Sequence, residues 1–147
     1  MSAPTSRVRT AVYDRDGGRC VICNTTELLE WNHRAATGMG GVRRRPDVVE
    51  GVTLCHYCNT DIEADDGLMR LALARGVKIR KWVDPNLIPV YYQHEWQWYY
   101  FEGSERVPVT AVVALDMMYS CYGEEFYFRL CREDRYQYFG WTSDTEH

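Results

Sequence analysis

No apolar run in this chain approaches the ~20 residues that a helix needs to cross a bilayer, which excludes a helical membrane span. The first seven residues, Met1-Ser2-Ala3-Pro4-Thr5-Ser6-Arg7, lack the apolar stretch of a secretory signal, so the cytoplasm is the expected compartment. Internal repeats are missing, and so are low-complexity linkers, which argues against a solenoid or a string of tethered modules. A large excess of one charge sign is also missing, since the net charge is −4. What is present is ordinary for a globular domain: 147 residues, 46% hydrophobic and 26% charged. That length suits one domain, or a domain with an appendage, with a real core.

The near-neutral total conceals a division. Residues 1–82 carry 13 Lys and Arg against 10 Asp and Glu, whereas residues 83–147 carry 4 against 11. Contacts to phosphate are therefore expected from the N-terminal half, and the acidic C-terminal half needs a separate role. The expected organisation is a zinc-binding domain over residues 1–82 and an aromatic, acidic extension over residues 83–147, packed on it or appended to it.

Spacing along the chain suggests the elements. Residues 6–16 place Val8, Val12 and Tyr13 at helical intervals, with Ser6 as an N-cap and Gly17-Gly18 as the stop. Residues 19–23 and 28–33 read as short strands, and residues 37–47 as a Gly- and Arg-rich loop. Residues 52–54 lead into a turn, and residues 59–75 form one helix ending at Gly76. Residues 77–82 alternate like a strand. Residues 90–101 form a strand rich in aromatics, with a turn at residues 102–104. Residues 109–122 fit either a helix or a buried strand. Residues 126–130 and 136–141 suggest a closing hairpin. The fold class is α+β: a zinc-stapled ββα core followed by a mostly β extension.

The chemistry concentrates in four cysteines. Cys20 and Cys23 form one C-x2-C pair, and Cys55 and Cys58 form another. Each pair can aim two thiolates at one ion from a tight turn, and two pairs complete a tetrahedral structural zinc site. A reducing compartment favours zinc over disulfides. Cys121 and Cys131 lie outside the pairs and read as small buried hydrophobes. Inside the frame lies Trp31-Asn32-His33-Arg34. Next to it, Arg43-Arg44-Arg45 on the Gly-rich loop are either a solvated turn or a clamp on a phosphate backbone.

Cys20-x2-Cys23, then Leu29-Glu30-Trp31-Asn32-His33-Arg34, Gly38-Met39-Gly40-Gly41 and Leu54-Cys55-x2-Cys58-Asn59-x3-Glu63 resemble the HNH proteins. The likeness is greatest to the small HNH nucleases encoded by phages and prophages of actinobacteria. It covers roughly residues 7–92, running on through Asp84-Pro85 and Ile88-Pro89-Val90. The resemblance implies a ββα-metal fold and metal-dependent hydrolysis of phosphodiester bonds in double-stranded DNA. By motif position His33 is the general base and Glu50 its orienting partner. Asn32, Asn59 and Glu63 would hold the catalytic ion, and Arg34 with Arg43, Arg44 and Arg45 would contact nucleic acid. The chain departs from the family pattern at three of these positions. Asn32 stands where His or Asp is usual, Asn59 where His is common, and Glu50 where Asn orients the base. An all-oxygen ligand set suits Mg²⁺ or Mn²⁺ rather than zinc.

Two functions follow from these residues. One is an HNH endonuclease or nickase with His33 as base. The other is a catalytically degenerate HNH-fold phage protein, acting in the cytoplasm of a bacterial host. It would bind and inhibit a host protein through its acidic, aromatic C-terminal segment.

Overall fold

The computed structural model describes residues 2–35 and 44–132. Helix α1 (Ser6–Arg15) leads to strand β1 (Leu29–His33), then strand β2 (Gly51–Cys55) and helix α2 (His56–Ala64). Helix α3 (Asp66–Ala74) follows, then strands β3 (Val90–Tyr92), β4 (Gln97–Glu102) and β5 (Glu105–Val109), and helices α4 (Ala111–Tyr122) and α5 (Glu124–Cys131). The class is α+β, with two small antiparallel sheets, β1-β2 and β3-β4-β5. None of the helices in the described residues is long and apolar enough to cross a membrane.

Several boundaries differ from the sequence expectation, each for a local reason. Thr5, not Ser6, caps α1, its hydroxyl accepting from the Val8 amide at 3.2 Å. Residues 19–23 form no strand. They fold into a turn in which the Asn24 amide donates to the Cys20 carbonyl at 2.9 Å. The single helix expected over residues 59–75 is two, because Asp65 is extended (φ −128°). Its carboxylate accepts from the Gly67 and Leu68 amides at 2.8 and 3.1 Å, so it caps a new start. The alternation in residues 77–82 yields only an isolated bridge between Ala35 and Ile79. Of residues 109–122, Val109 ends β5 and Ala111–Tyr122 form a helix, while residues 126–130 lie in α5 rather than in a hairpin strand. Among its described residues the extension is thus a three-stranded sheet and two helices rather than mostly β. The other half of the expected hairpin, residues 136–141, lies outside the described residues.

The aromatic run also divides. A turn at Gln93–Glu95, closed by Trp96 in the left-handed region (φ 54°), folds β3 back against β4. Together these strands form a wall between two cores. Val90, Tyr92 and Phe101, with Tyr99 beside them, face a cluster containing Val21, Val52, Leu54, Ile62 and Val77. Tyr91 and Trp98 face the opposite way, into a cluster with Leu73, Ile79, Ala114, Met118, Tyr127 and Leu130. Period-two alternation serves both cores at once, which explains why the run shows no polar face. Each core draws on residues from both sides of residue 82.

A buried ion network ties α1 to this wall. Arg15 makes a paired contact with Asp16 at 2.8 and 3.0 Å and donates to the carbonyls of Val48 (3.0 Å) and Gly51 (2.8 Å). The Tyr92 hydroxyl donates to Asp16, whose second oxygen accepts from the Thr53 amide at 2.9 Å. The Arg15 guanidinium lies 3.7 Å over the Phe101 ring, a cation–π contact within the first core.

At two glycines an added side chain would clash with this packing. Gly76 follows α3 with φ +73°, and a Cβ there would sit 1.7 Å from the Pro89 carbonyl oxygen. At Gly51, opposite His33 in the β1-β2 ladder, a Cβ would lie 2.0 Å from the Trp31 ring. Gly51→Ala is expected to lower stability by about 1–3 kcal/mol, the usual cost of overpacking. Urea denaturation measures it, and an unchanged midpoint would mean that Trp31 can rotate clear.

Candidate functional site

The β1-β2 ladder pairs Leu29 with Cys55 and His33 with Gly51, so its two ends hold different chemistry. At the Cys55 end, the turn carrying Cys20 and Cys23 is pinned to β2 by the Val21 amide donating to the Thr53 carbonyl at 3.1 Å. Cys55 closes β2 and caps α2, accepting from the Cys58 amide at 3.3 Å. The sulfurs of Cys20, Cys23, Cys55 and Cys58 lie within 4.8 Å of one another and can hold a metal ion. Crowding four thiols together redistributes their protons. The hydrogen bond from Cys58, helped by backbone amides and opposed by burial, pulls Cys20 down to about 5. The same bond to Cys20, with burial, pushes Cys58 well up, and burial raises Cys23.

At the His33 end lies a cleft of about 1130 Å³. Asn32 and His33 reach it from β1, Asn59 and Glu63 from α2. The i, i+4 spacing of the last two puts both on the same side of α2. The Asn32 amide donates to the Glu30 carbonyl at 3.3 Å. The His33 Nε2 lies 2.9 Å from the Ser2 carbonyl oxygen, which can only accept. Nε2 therefore carries a proton, and in the neutral ring Nδ1 holds the lone pair.

Not every residue singled out in the sequence reaches this cleft as expected. Arg34 is a correction: it borders the cleft, but its side chain is fully buried and cannot contact nucleic acid. All five N–H groups are engaged by main-chain carbonyls: Gly76 twice (3.2 and 3.0 Å), Val49 (2.9 Å), Pro85 (3.0 Å) and Ile88 (3.1 Å). Burial, then repulsion from Arg15, pulls it down to about 9. Glu50 does not line the cleft. It is held by Arg44 at 2.7 and 3.2 Å and accepts from the Asp47 amide at 2.9 Å. Burial raises its pKa, but these bonds outweigh burial and hold the carboxyl below its usual value. Arg44 is thus occupied, and Arg45 donates to the Pro4 carbonyl at 3.3 Å. Arg43 lies outside the described residues, as does most of the Gly-rich loop. His56 pairs with Glu30 at 3.1 Å on the surface.

Residues the sequence did not flag also line the cleft. Ser2, Ala3 and Pro4 run along it, and Arg9, Lys78, Arg80 and Lys81 add positive charge. Lys78 donates to the His33 carbonyl at 3.0 Å and lies 4.0 Å from Glu63. Burial lowers its pKa, and Glu63 partly restores it. Its only local signal was a place in the alternating residues 77–82, which suggested a strand and no chemistry. Comparison with known proteins adds no relative: no family model, curated protein or solved structure matches this chain.

Proposed function

We propose that this protein is a metal-dependent DNA endonuclease or nickase of HNH type. The observation that carries the reading is the meeting of Asn32, His33, Asn59 and Glu63 on one cleft. These are the motif positions expected for a base and its ion ligands, drawn from two separate elements. A cationic lining of Arg9, Lys78, Arg80 and Lys81 suits a phosphate backbone.

In this reading the cysteine cluster holds structural zinc. Zn–S bonds of about 2.3 Å at tetrahedral angles place sulfurs about 3.8 Å apart, and Cys23 and Cys55 are separated by 3.7 Å. A second, divalent ion would be held by Asn32, Asn59 and Glu63, whose oxygen donors fit Mg²⁺ or Mn²⁺. When bound, that ion stabilises charge developing on the phosphate. His33 supplies the proton chemistry: Ser2 fixes Nε2–H, which leaves Nδ1 to take a proton from the attacking water.

Plasmid nicking in Mg²⁺ or Mn²⁺ tests the reading. His33→Ala is expected to cut about 10²–10⁴-fold more slowly, with DNA affinity little changed. Equal rates would remove His33 from the mechanism.

The second reading, a degenerate HNH fold that binds a host protein, has one observation in its favour. Val112 and Val113 on α4 are 77% and 46% exposed, and Leu87 (54%) and Trp82 (66%) are exposed in the segment before β3. Val113, Leu87 and Trp82 line a common shallow groove. A wild-type chain that nicks no DNA with either ion would favour this alternative.

A further inference from the structure

Four cationic side chains are buried among the described residues: Arg15, Arg34, Arg75 and Lys78. Arg15 is neutralised by Asp16, and Arg34 has every N–H on a carbonyl. Arg75 lies over the Tyr91 ring and away from the cleft lining. Lys78 is different. Its side chain is 10% exposed and lines the cleft, and one N–H is fixed on the carbonyl of the proposed base residue. Its nearest carboxylate, Glu63, is 61% exposed and only at 4.0 Å. The main chain holds it too, since the Lys78 amide donates to the Ala72 carbonyl at 3.1 Å.

A buried ammonium is costly unless a counter-charge meets it. Glu63 is a poor counter-charge at that distance, and as an ion ligand it would share its charge with a divalent cation. A phosphate oxygen entering the cleft would satisfy the remaining N–H groups. It would also lie beside His33, because the ammonium is tethered to that residue's own main chain.

We propose that Lys78 contacts the scissile phosphate and stabilises charge on its non-bridging oxygen. This rests on the reading of the cleft as a hydrolytic site for nucleic-acid backbone. It adds a catalytic cation that the motif does not include. It also accounts for a ligand set with a single carboxylate: part of the positive charge is supplied by the chain itself.

The test uses the full chain labelled with ¹⁵N-lysine. The protein has two lysines, Lys78 and Lys81, so two ammonium signals are expected, assigned with Lys81→Arg. Adding a 20-base-pair duplex in Ca²⁺ buffer should move the Lys78 signal. In parallel, Lys78→Met should nick plasmid about 10²–10³-fold more slowly than wild type, with Lys78→Arg recovering part of the rate. The salt dependence of duplex binding should flatten by about 0.9 in log–log slope for the lost contact.

A duplex that binds while the Lys78 signal stays fixed overturns the contact, whatever the folding of the variants. So does a folded Lys78→Met that nicks at the wild-type rate. A wild-type chain that never nicks, but whose Lys78 signal moves, overturns the hydrolytic reading and leaves the phosphate contact standing. A chain that binds no duplex overturns both.

Discussion

If the four-cysteine cluster holds zinc, as proposed, chelating that zinc or replacing Cys58 with serine is expected to unfold the β1-β2-α2 unit rather than loosen it. Cys20 and Cys55 are 0% and 2% exposed and belong to the same core as Val21, Val52 and Leu54. Both turns that carry the cysteines are pinned to the β1-β2 pair, so displacing either sulfur pulls on the ladder that positions His33. Zinc in small structural sites binds with roughly 10–16 kcal/mol of apparent free energy. That is as large as the roughly 5–15 kcal/mol separating a typical folded domain from its unfolded state. Atomic emission should find one zinc per chain. After chelation, or in Cys58→Ser, the cooperative thermal transition should disappear and plasmid nicking with it. A chelated chain that keeps both its transition and its far-ultraviolet spectrum would show that the cluster is not the staple of the fold.

Arg34→Met is expected to cost at least about 3 kcal/mol of stability, and to act on folding rather than on DNA affinity. The guanidinium joins carbonyls of Val49, Gly76, Pro85 and Ile88, which come from three separate stretches of the chain. Each buried carbonyl left without a donor costs about 1–3 kcal/mol. Relief from desolvating the cation offsets part of the sum. Arg34→Lys should also fail, because an ammonium has three N–H groups and cannot serve four carbonyls spread around a planar fork. Urea denaturation gives the loss. The salt slope of duplex binding by the fraction that remains folded should be unchanged. A variant of wild-type stability with a flatter slope would return Arg34 to the DNA surface suggested by its place after His33.

The cysteine frame was legible because metal spacing is local: a C-x2-C pair places two sulfurs through one turn, wherever the turn lies. The frame did not give the helix start: a helix was expected from residue 59, whereas α2 begins at His56, directly after Cys55 closes β2. Asn59 and Glu63 were legible as a pair for the same kind of reason, since i and i+4 share a side of any helix.

Residues whose meaning depends on distant partners were misread. Asp65 looked like one more polar residue in a helix, until its carboxylate capped a second one. The run from Val90 to Phe101 suggested one strand, but a turn folds it into two strands with a core on either face. Arg34 sits beside the motif in sequence, yet its acceptors come from residues 49, 76, 85 and 88. Lys78 carries no motif, and it gains its place only because α3 and the following segment return it to the end of β1. Sequence alone therefore determined which ligands and which helix face are available. Tertiary structure decided which charges are buried, because burial depends on chain segments that no local window contains.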